Sequence, residues 1–215
     1  MYPGKKVHYL TTKPPQSTPL PENVSSLVGP TAGVLPLPYA EGSFSHIRAS
    51  TLPSLVPSLQ LPAMFRECYR LLAPGGMLEI RIMDAAPMRW TAGPKMKAWI
   101  EDRVSMNLER LFRCSKPCTL VPGWVADAGF KLPSSFASKG DENMKLRCAS
   151  EPNTADVDAE LSTLVGRALW RDIWGDFVDD IPGEPRWWWE DEEVMKECLE
   201  RQTAFECGSI FAFKD

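Results

Sequence analysis

Phe65-Arg-Glu-Cys-Tyr-Arg-Leu-Leu-Ala-Pro-Gly-Gly-Met-Leu-Glu-Ile80 is the stretch on which the fold turns. Apolar residues leading into it and within it fall at Leu61, Met64, Phe65, Cys68, Tyr69, Leu71 and Leu72, the i, i+3, i+4 stripe of an amphipathic helix. Pro62 suits the first turn of such a helix, where a missing N–H costs nothing. Pro74-Gly75-Gly76 ends it, removing a donor and permitting left-handed backbone angles. Met77 to Met83 then reads as a strand whose alternation is blurred, as in a strand covered on both faces. A helix, a glycine turn and a buried strand in succession mark an α/β layer.

Upstream, Lys6–Thr12, Val24–Val28 and Phe44–Ala49 read as short strands. Pro14, Pro15, Pro19 and Pro21 bar a helix after the first, and Gly29-Pro30 stops the second. Downstream, Lys95–Phe112 has the apolar spacing of a helix. Trp124–Ala128 is expected to be a short helix ending at Gly129, and Phe130–Phe136 a strand. The polar stretch Asp141–Asn153 is expected to be loop. Ala155–Phe177 and Glu190–Phe205 carry helical periodicity, and Cys207–Phe213 closes the chain as a strand. No boundary divides residues 1–215. The expectation is one domain with a proline-rich segment at 1–23 and a helical insertion at 154–206 before the last strand.

The 215 residues suffice for a substantial core. Hydrophobic residues make up 44% and charged residues 24%, ordinary globular values. A net charge of −4 and scattered lysines and arginines leave no basic face, so nucleic acid is not an expected partner. No apolar run reaches the ~18 residues of a membrane span, and no apolar segment follows Lys5-Lys6 as in a secretory signal. The expected location is the cytoplasm, with no membrane partner. Six cysteines spread through the chain suit reduced, packed thiols better than a disulfide framework. Cys114 and Cys118 are the one close pair, and with both histidines far upstream no metal site is expected there.

Three passages resemble the class I, Rossmann-like S-adenosylmethionine-dependent methyltransferases, the type 11 group above all. Leu37-Pro-Tyr-Ala-Glu-Gly-Ser-Phe-Ser-His-Ile47 resembles the family passage LPF-x-x-x-SFD-x-V, which leads from the third strand into the fourth. Phe65–Ile80 resembles hREhxRvLKPGGxLxI, the helix and fifth strand. Ala128-Gly-Phe130 resembles the turn before the sixth strand, and Ile210-Phe-Ala-Phe-Lys214 the closing seventh. The C-terminal insertion with Trp187-Trp188-Trp189 is similar to a group of filamentous-fungal methyltransferase-domain proteins. The resemblance implies a reduced Rossmann-like sheet with helices on both faces and a C-terminal helical insertion. It also implies methyl transfer from S-adenosylmethionine to a small molecule, in the manner of secondary metabolism.

The family grips the cofactor with an acidic residue and Gly-x-Gly after the first strand, where glycines let the backbone approach and a helix N-terminus lies behind. This chain has no such motif. If Lys6–Thr12 is the first strand, the loop Thr12–Pro21 has no glycine and four prolines. If it is the second, Thr11 or Thr12 replaces the ribose-binding acid. The third-strand position reads Gly29-Pro-Thr-Ala32, and Ser45 replaces the aspartate of SFD. By position alone, Thr11, Thr12, Thr31 and Leu37 are the cofactor-side candidates. Three explanations stay open: an N-terminal portion lies outside this chain, a homo- or hetero-oligomeric partner completes the sheet, or the fold acts as a non-methylating small-molecule binder or cyclase.

His46, on the expected fourth strand, has the titration range of a general base, or is a strand histidine with a satisfied hydrogen bond. His8 has the same two readings. Asp84 lies just past the fifth strand, at the edge where α/β sheets bind ligands; it faces a pocket or caps a helix. Trp187 and Trp188, with Trp170 and Trp174 upstream, wall an apolar substrate cavity or pack the inserted helices onto the sheet. Asp179-Asp180 and Glu190–Glu193 are acidic enough for a hard cation, but the second run opens a helix, where acids suit the dipole.

Overall fold

The computed structural model describes residues 5–11, 20–28, 34–133, 144–151 and 156–215. In chain order the elements are β1 (Val7–Thr11), β2 (Val24–Val28), β3 (Phe44–Ala49), α1 (Leu52–Leu55), α2 (Leu61–Leu71), β4 (Leu72–Met83), α3 (Pro94–Ile100), α4 (Met106–Arg110), α5 (Pro117–Asp127), β5 (Met144–Arg147), α6 (Val157–Trp174), α7 (Glu192–Glu200) and β6 (Ala204–Phe213). β3, β4, β6 and β5 form one sheet in that order. β3 runs parallel to β4, with Ile47 opposite Leu78, and β6 runs antiparallel to both β4 and β5. β1 and β2 form a separate parallel pair.

Alternation along β4 divides the core. Leu78, Ile80 and Ile82 join Ile210 and Ala212 beneath α2 and α5, against Phe65, Cys68, Val121 and Val125. Met83, Cys207 and Phe205 lie on the opposite face under α3, α6 and α7, with Trp99, Trp170, Trp174 and Trp188. The tryptophan rings meet edge to face, Trp170 and Trp188 at 4.6 Å, the geometry their quadrupoles favour. Trp170 and Trp174 Nε1 donate to the carbonyls of Ala85 and Met83, which ties α6 to the end of β4.

The glycine turn before β4's core is explained by its backbone. Gly75 takes φ +73°, which costs an L side chain roughly 1–2 kcal/mol. A Cβ on Gly76 would meet the Ala73 carbonyl oxygen at 2.7 Å. The turn is pinned to the last strand: Gly75 N donates to Lys214 O at 2.8 Å, and Lys214 N to Gly76 O at 3.0 Å.

Several elements differ from the sequence expectation. The helix around Trp124 starts at Pro117, because Asp84 reaches across to cap it. Strand character after Gly129 is a single bridge, Lys131 to Phe213, and 134–136 lie outside the described residues. Within the expected polar loop, 144–147 pair with β6 and bury Leu146, which makes them an edge strand. The 95–112 helix is interrupted by a π turn at Glu101–Ser105. It places buried Arg103, which donates to Asp179 O and pairs with Glu184. The last helix stops at Glu200, and the last strand begins earlier than expected, at Ala204, since Ala204 and Phe205 are buried. Gly29-Pro30 lies outside the described residues.

The split of the strands bears on the two placements of 6–12. A doubly wound sheet runs 3-2-1-4-5, so a first strand touches both the second and the fourth. β1 pairs with β2 and, among the described residues, not with β3. In the strand order that the resemblance implies, this pairing suits the second and third places for β1 and β2.

Candidate functional site

Open α/β sheets bind ligands beyond the carboxyl ends of their strands. Here that edge comprises Thr11 and Val28, Ala49 with Ser50-Thr51, and Met83-Asp84. Thr11 ends β1; Thr12 and Thr31 lie outside the described residues.

Asp84 stands at the edge but is already engaged. Its N–H donates to Glu206 O at 3.0 Å, and its carboxylate accepts the Cys118 N–H at 2.9 Å, at the first turn of α5. Burial raises its pKa to about 6, against the lowering effect of the Cys118 hydrogen bonds. The neighbouring crevice, between Ser50, Thr51, Arg81, Pro117 and Trp174, is too tight for a water molecule. A groove of about 180 Å³ lies elsewhere, lined by Arg147, Ser150, Glu151, Asp156 and Gln202. It falls below the ~300–1,000 Å³ of small-molecule sites.

Leu37 belongs to a clamp. Its N–H donates to Glu67 Oε1 at 2.8 Å, and Arg70 reaches the carbonyls of Tyr39 at 3.1 Å and Leu37 at 3.4 Å. The Arg70 hydrogen bond holds the Glu67 carboxyl below its ordinary range, the Leu37 N–H assisting. The first two resembling passages are thus halves of one contact: Glu67 and Arg70 fasten the Leu37-Pro-Tyr39 loop across α2, which aims β3. No sequence signal joins them except the resemblance itself.

His46 sits mid-strand, its Nε2 3.4 Å from Glu79 Oε2. Arg48 Nε and Arg81 Nε share the other oxygen of Glu79 at 3.2 and 3.4 Å. His46 and Asp84 are not brought together. His8 lies against Ser25, its Nδ1 3.1 Å from the hydroxyl, and its ring meets those of Tyr39 and Phe44 at 5.2 and 5.5 Å. Trp188 is fully buried in the tryptophan core. Trp187 stacks on Trp189 at 5.0 Å, with Arg186 over its other face at 4.9 Å. All six cysteines are reduced and buried. Burial pushes the Cys68 thiol up to about 12 and Cys207 to about 11, whereas a hydrogen bond from Cys148 lowers Cys198. The described residues contain no cluster suited to a metal ion, and none of their helices is long and apolar enough to cross a membrane.

Strand order, the antiparallel last strand and the clamp agree with the resemblance in the sequence. The fold is a mixed α/β arrangement, a four-stranded sheet with helices on both faces, in keeping with that resemblance. No family model and no curated protein matches the chain. Among solved structures, it is similar to geranyl diphosphate methyltransferase in complex with S-adenosylmethionine (16% identity, 90% of this chain and 59% of that one, TM-score 0.45). It is also similar to Haemonchus contortus phosphoethanolamine N-methyltransferase 2 (12%, 89% and 37%, 0.46) and to the [4+2]-cyclase SpnF (13%, 89% and 57%, 0.39). The chain spans between 37% and 60% of the first four such structures.

The described edge offers the donor little to hold. Asp84 is committed to α5, and residues 5–28 contain no glycine over which a backbone could approach a nucleoside. These residues alone do not fit S-adenosylmethionine.

Proposed function

We propose that this chain is one part of a methyltransferase-like domain whose S-adenosylmethionine and small-molecule sites form only when the sheet's first strand is supplied from outside residues 1–215. One observation carries this reading: β1 pairs with β2 and β3 with β4, with no ladder between β1 and β3 among the described residues. The absent strand is the one that leads into the phosphate- or nucleoside-facing turn of such sheets. Methyl transfer relies on holding donor and acceptor in line, and orientation can supply roughly 7–11 kcal/mol of barrier reduction. A chain without the gripping turn forgoes that contribution. The groove and crevice among the described residues are both too small for a substrate-sized ligand, which does not favour a binder or cyclase acting alone.

The test is isothermal calorimetry with S-adenosylhomocysteine on the purified chain. No binding heat is expected at micromolar ligand. Saturable micromolar binding by the chain alone overturns the reading.

A further inference from the structure

Cys148 directly follows β5, and Cys198 lies in the last turn of α7. The turn after α7 brings them together. Gln202 adopts φ +51°, and the chain reverses so that Thr203 N donates to Cys198 O at 2.9 Å while Thr203 O accepts from Cys148 N at 2.8 Å. Thr203 thus holds both cysteine backbones. Their thiols share a hydrogen bond, Cys148 donating to Cys198. Both residues are buried, at 1% and 0% exposure. Thiols already in contact need no backbone rearrangement to meet the close spacing that a disulfide demands.

Two features set this pair apart from packed, inert thiols. Arg167 of α6 lies against it, Nε donating to Cys148 O at 3.1 Å and Nη2 reaching Met195 Sδ, one turn before Cys198, at 3.1 Å. A neighbouring guanidinium favours the thiolate, the nucleophilic form. The Cys148 hydrogen bond, with Arg167 assisting, holds the Cys198 thiol below its ordinary range against burial, whereas Cys68, Cys118 and Cys207 lie above theirs. Second, the groove of about 180 Å³ borders both residues: Ala149 beside Cys148 and Leu199 beside Cys198 line it, together with Gln202. It is small for a substrate but exceeds the ~30 Å³ that one water takes up, so a molecule the size of hydrogen peroxide fits.

We propose that Cys148 and Cys198 form a peroxide-sensitive dithiol, oxidised to a disulfide by a hydroperoxide that enters through this groove. The Cys198 sulfur attacks one peroxide oxygen and the O–O bond breaks. The departing hydroxide takes the Cys198 proton as water and leaves a sulfenic acid. The Cys148 sulfur then attacks that sulfur, the S–O bond breaks, and the Cys148 proton leaves with the hydroxide as a second water. The two thiols lose two electrons, which the peroxide accepts. The new bond ties the edge strand β5 to α7, whose Glu197 caps α3, so oxidation fastens the helical insertion to the sheet.

The test is treatment of the folded, full chain with hydrogen peroxide, alkylation of the remaining thiols and non-reducing peptide mapping by mass spectrometry. A Cys148–Cys198 cross-link is expected, forming about tenfold faster than Cys68, Cys114, Cys118 or Cys207 is lost, and dithiothreitol is expected to restore all six thiols. Slower amide exchange over 192–200 is expected on oxidation. Cys148→Ser is expected to stop at the Cys198 sulfenic acid, which dimedone traps, whereas Cys198→Ser leaves Cys148 unlabelled. Unchanged near-ultraviolet tryptophan signals verify that both variants fold, and the map of the unsubstituted chain decides the matter without them. Survival of all six thiols, loss of all at one rate, a cross-link between other cysteines or between chains, or a Cys148–Cys198 bond that forms only in urea overturns the proposal. Equal dimedone labelling of the two variants overturns the order of attack, and unchanged exchange over 192–200 overturns the tie to the insertion.

Discussion

Replacing Asp84 by asparagine separates a carboxylate that serves the fold from one retained at a cost. Burial holds Asp84 near pKa 6, against an ordinary value of 3.8. Between those values the folded protein keeps a proton that the unfolded chain releases. The contribution of Asp84 to stability is therefore fullest below pH 3.8 and is lost as pH rises through about 6. Two pKa units correspond to roughly 2.7 kcal/mol, and partial exposure trims this to about 2 kcal/mol at pH 7. Asparagine keeps an oxygen for the Cys118 N–H but carries no charge to desolvate. Asp84→Asn is thus expected to raise stability by about 2 kcal/mol at pH 7, with the gain vanishing near pH 4. Urea titrations at several pH values, followed by tryptophan fluorescence, give the difference directly. A variant less stable than wild type by the same amount at every pH would refute the argument, since the carboxylate would then stabilise the helix cap without a burial cost.

Two further outcomes follow from close contacts. Glu197 accepts from Lys95 N at 3.0 Å and Met96 N at 2.8 Å, and a Cβ on Gly93 would lie 2.1 Å from its carboxyl carbon. Gly93→Ala should cost about 2–3 kcal/mol by displacing that cap, yet stabilise a Glu197→Ala background by about 0.4–1 kcal/mol, because the Gly93 backbone is extended. A double-mutant cycle in urea reads the reversal of sign, and equal costs in both backgrounds would refute it. Gly76→Ala, which sets a methyl against the Ala73 carbonyl, should lower the unfolding midpoint by about 1–3 kcal/mol; an unchanged midpoint would show that the turn can open without loss.

The elements legible in the sequence are those whose own periodicity reports their burial. Leu61 to Met83 shows its helix, turn and strand because each is buried along most of its length. β5 was hidden because it is a four-residue edge strand with only Leu146 buried, which leaves no alternation to count. The start of α5 was hidden because Pro122 disguises the helix and its cap, Asp84, lies 34 residues upstream. The Glu197 cap on α3 spans 101 residues to Met96, beyond any local pattern. At the candidate site, Asp84 directly follows β4, but its engagement with α5 leaves no local signal in the sequence. His46 reads as a possible base in the sequence, whereas its Glu79 and arginine neighbours come from pairing across two strands.

Arg48, Glu79 and Arg81 bear on whether copies of the chain pair through the β3 edge. An open edge beside exposed aromatic rings invites pairing between copies, and charged side chains on or beside the edge discourage it. Arg48 on β3 and Arg81 on β4 flank that edge, held in place by the buried Glu79 carboxylate. Two copies approaching through this face bring like charges together. The same side chains thus oppose self-association. Replacing Arg48 and Arg81 by neutral residues is expected to raise self-association, read by sedimentation velocity across concentrations, and an unchanged monomer fraction would refute the argument.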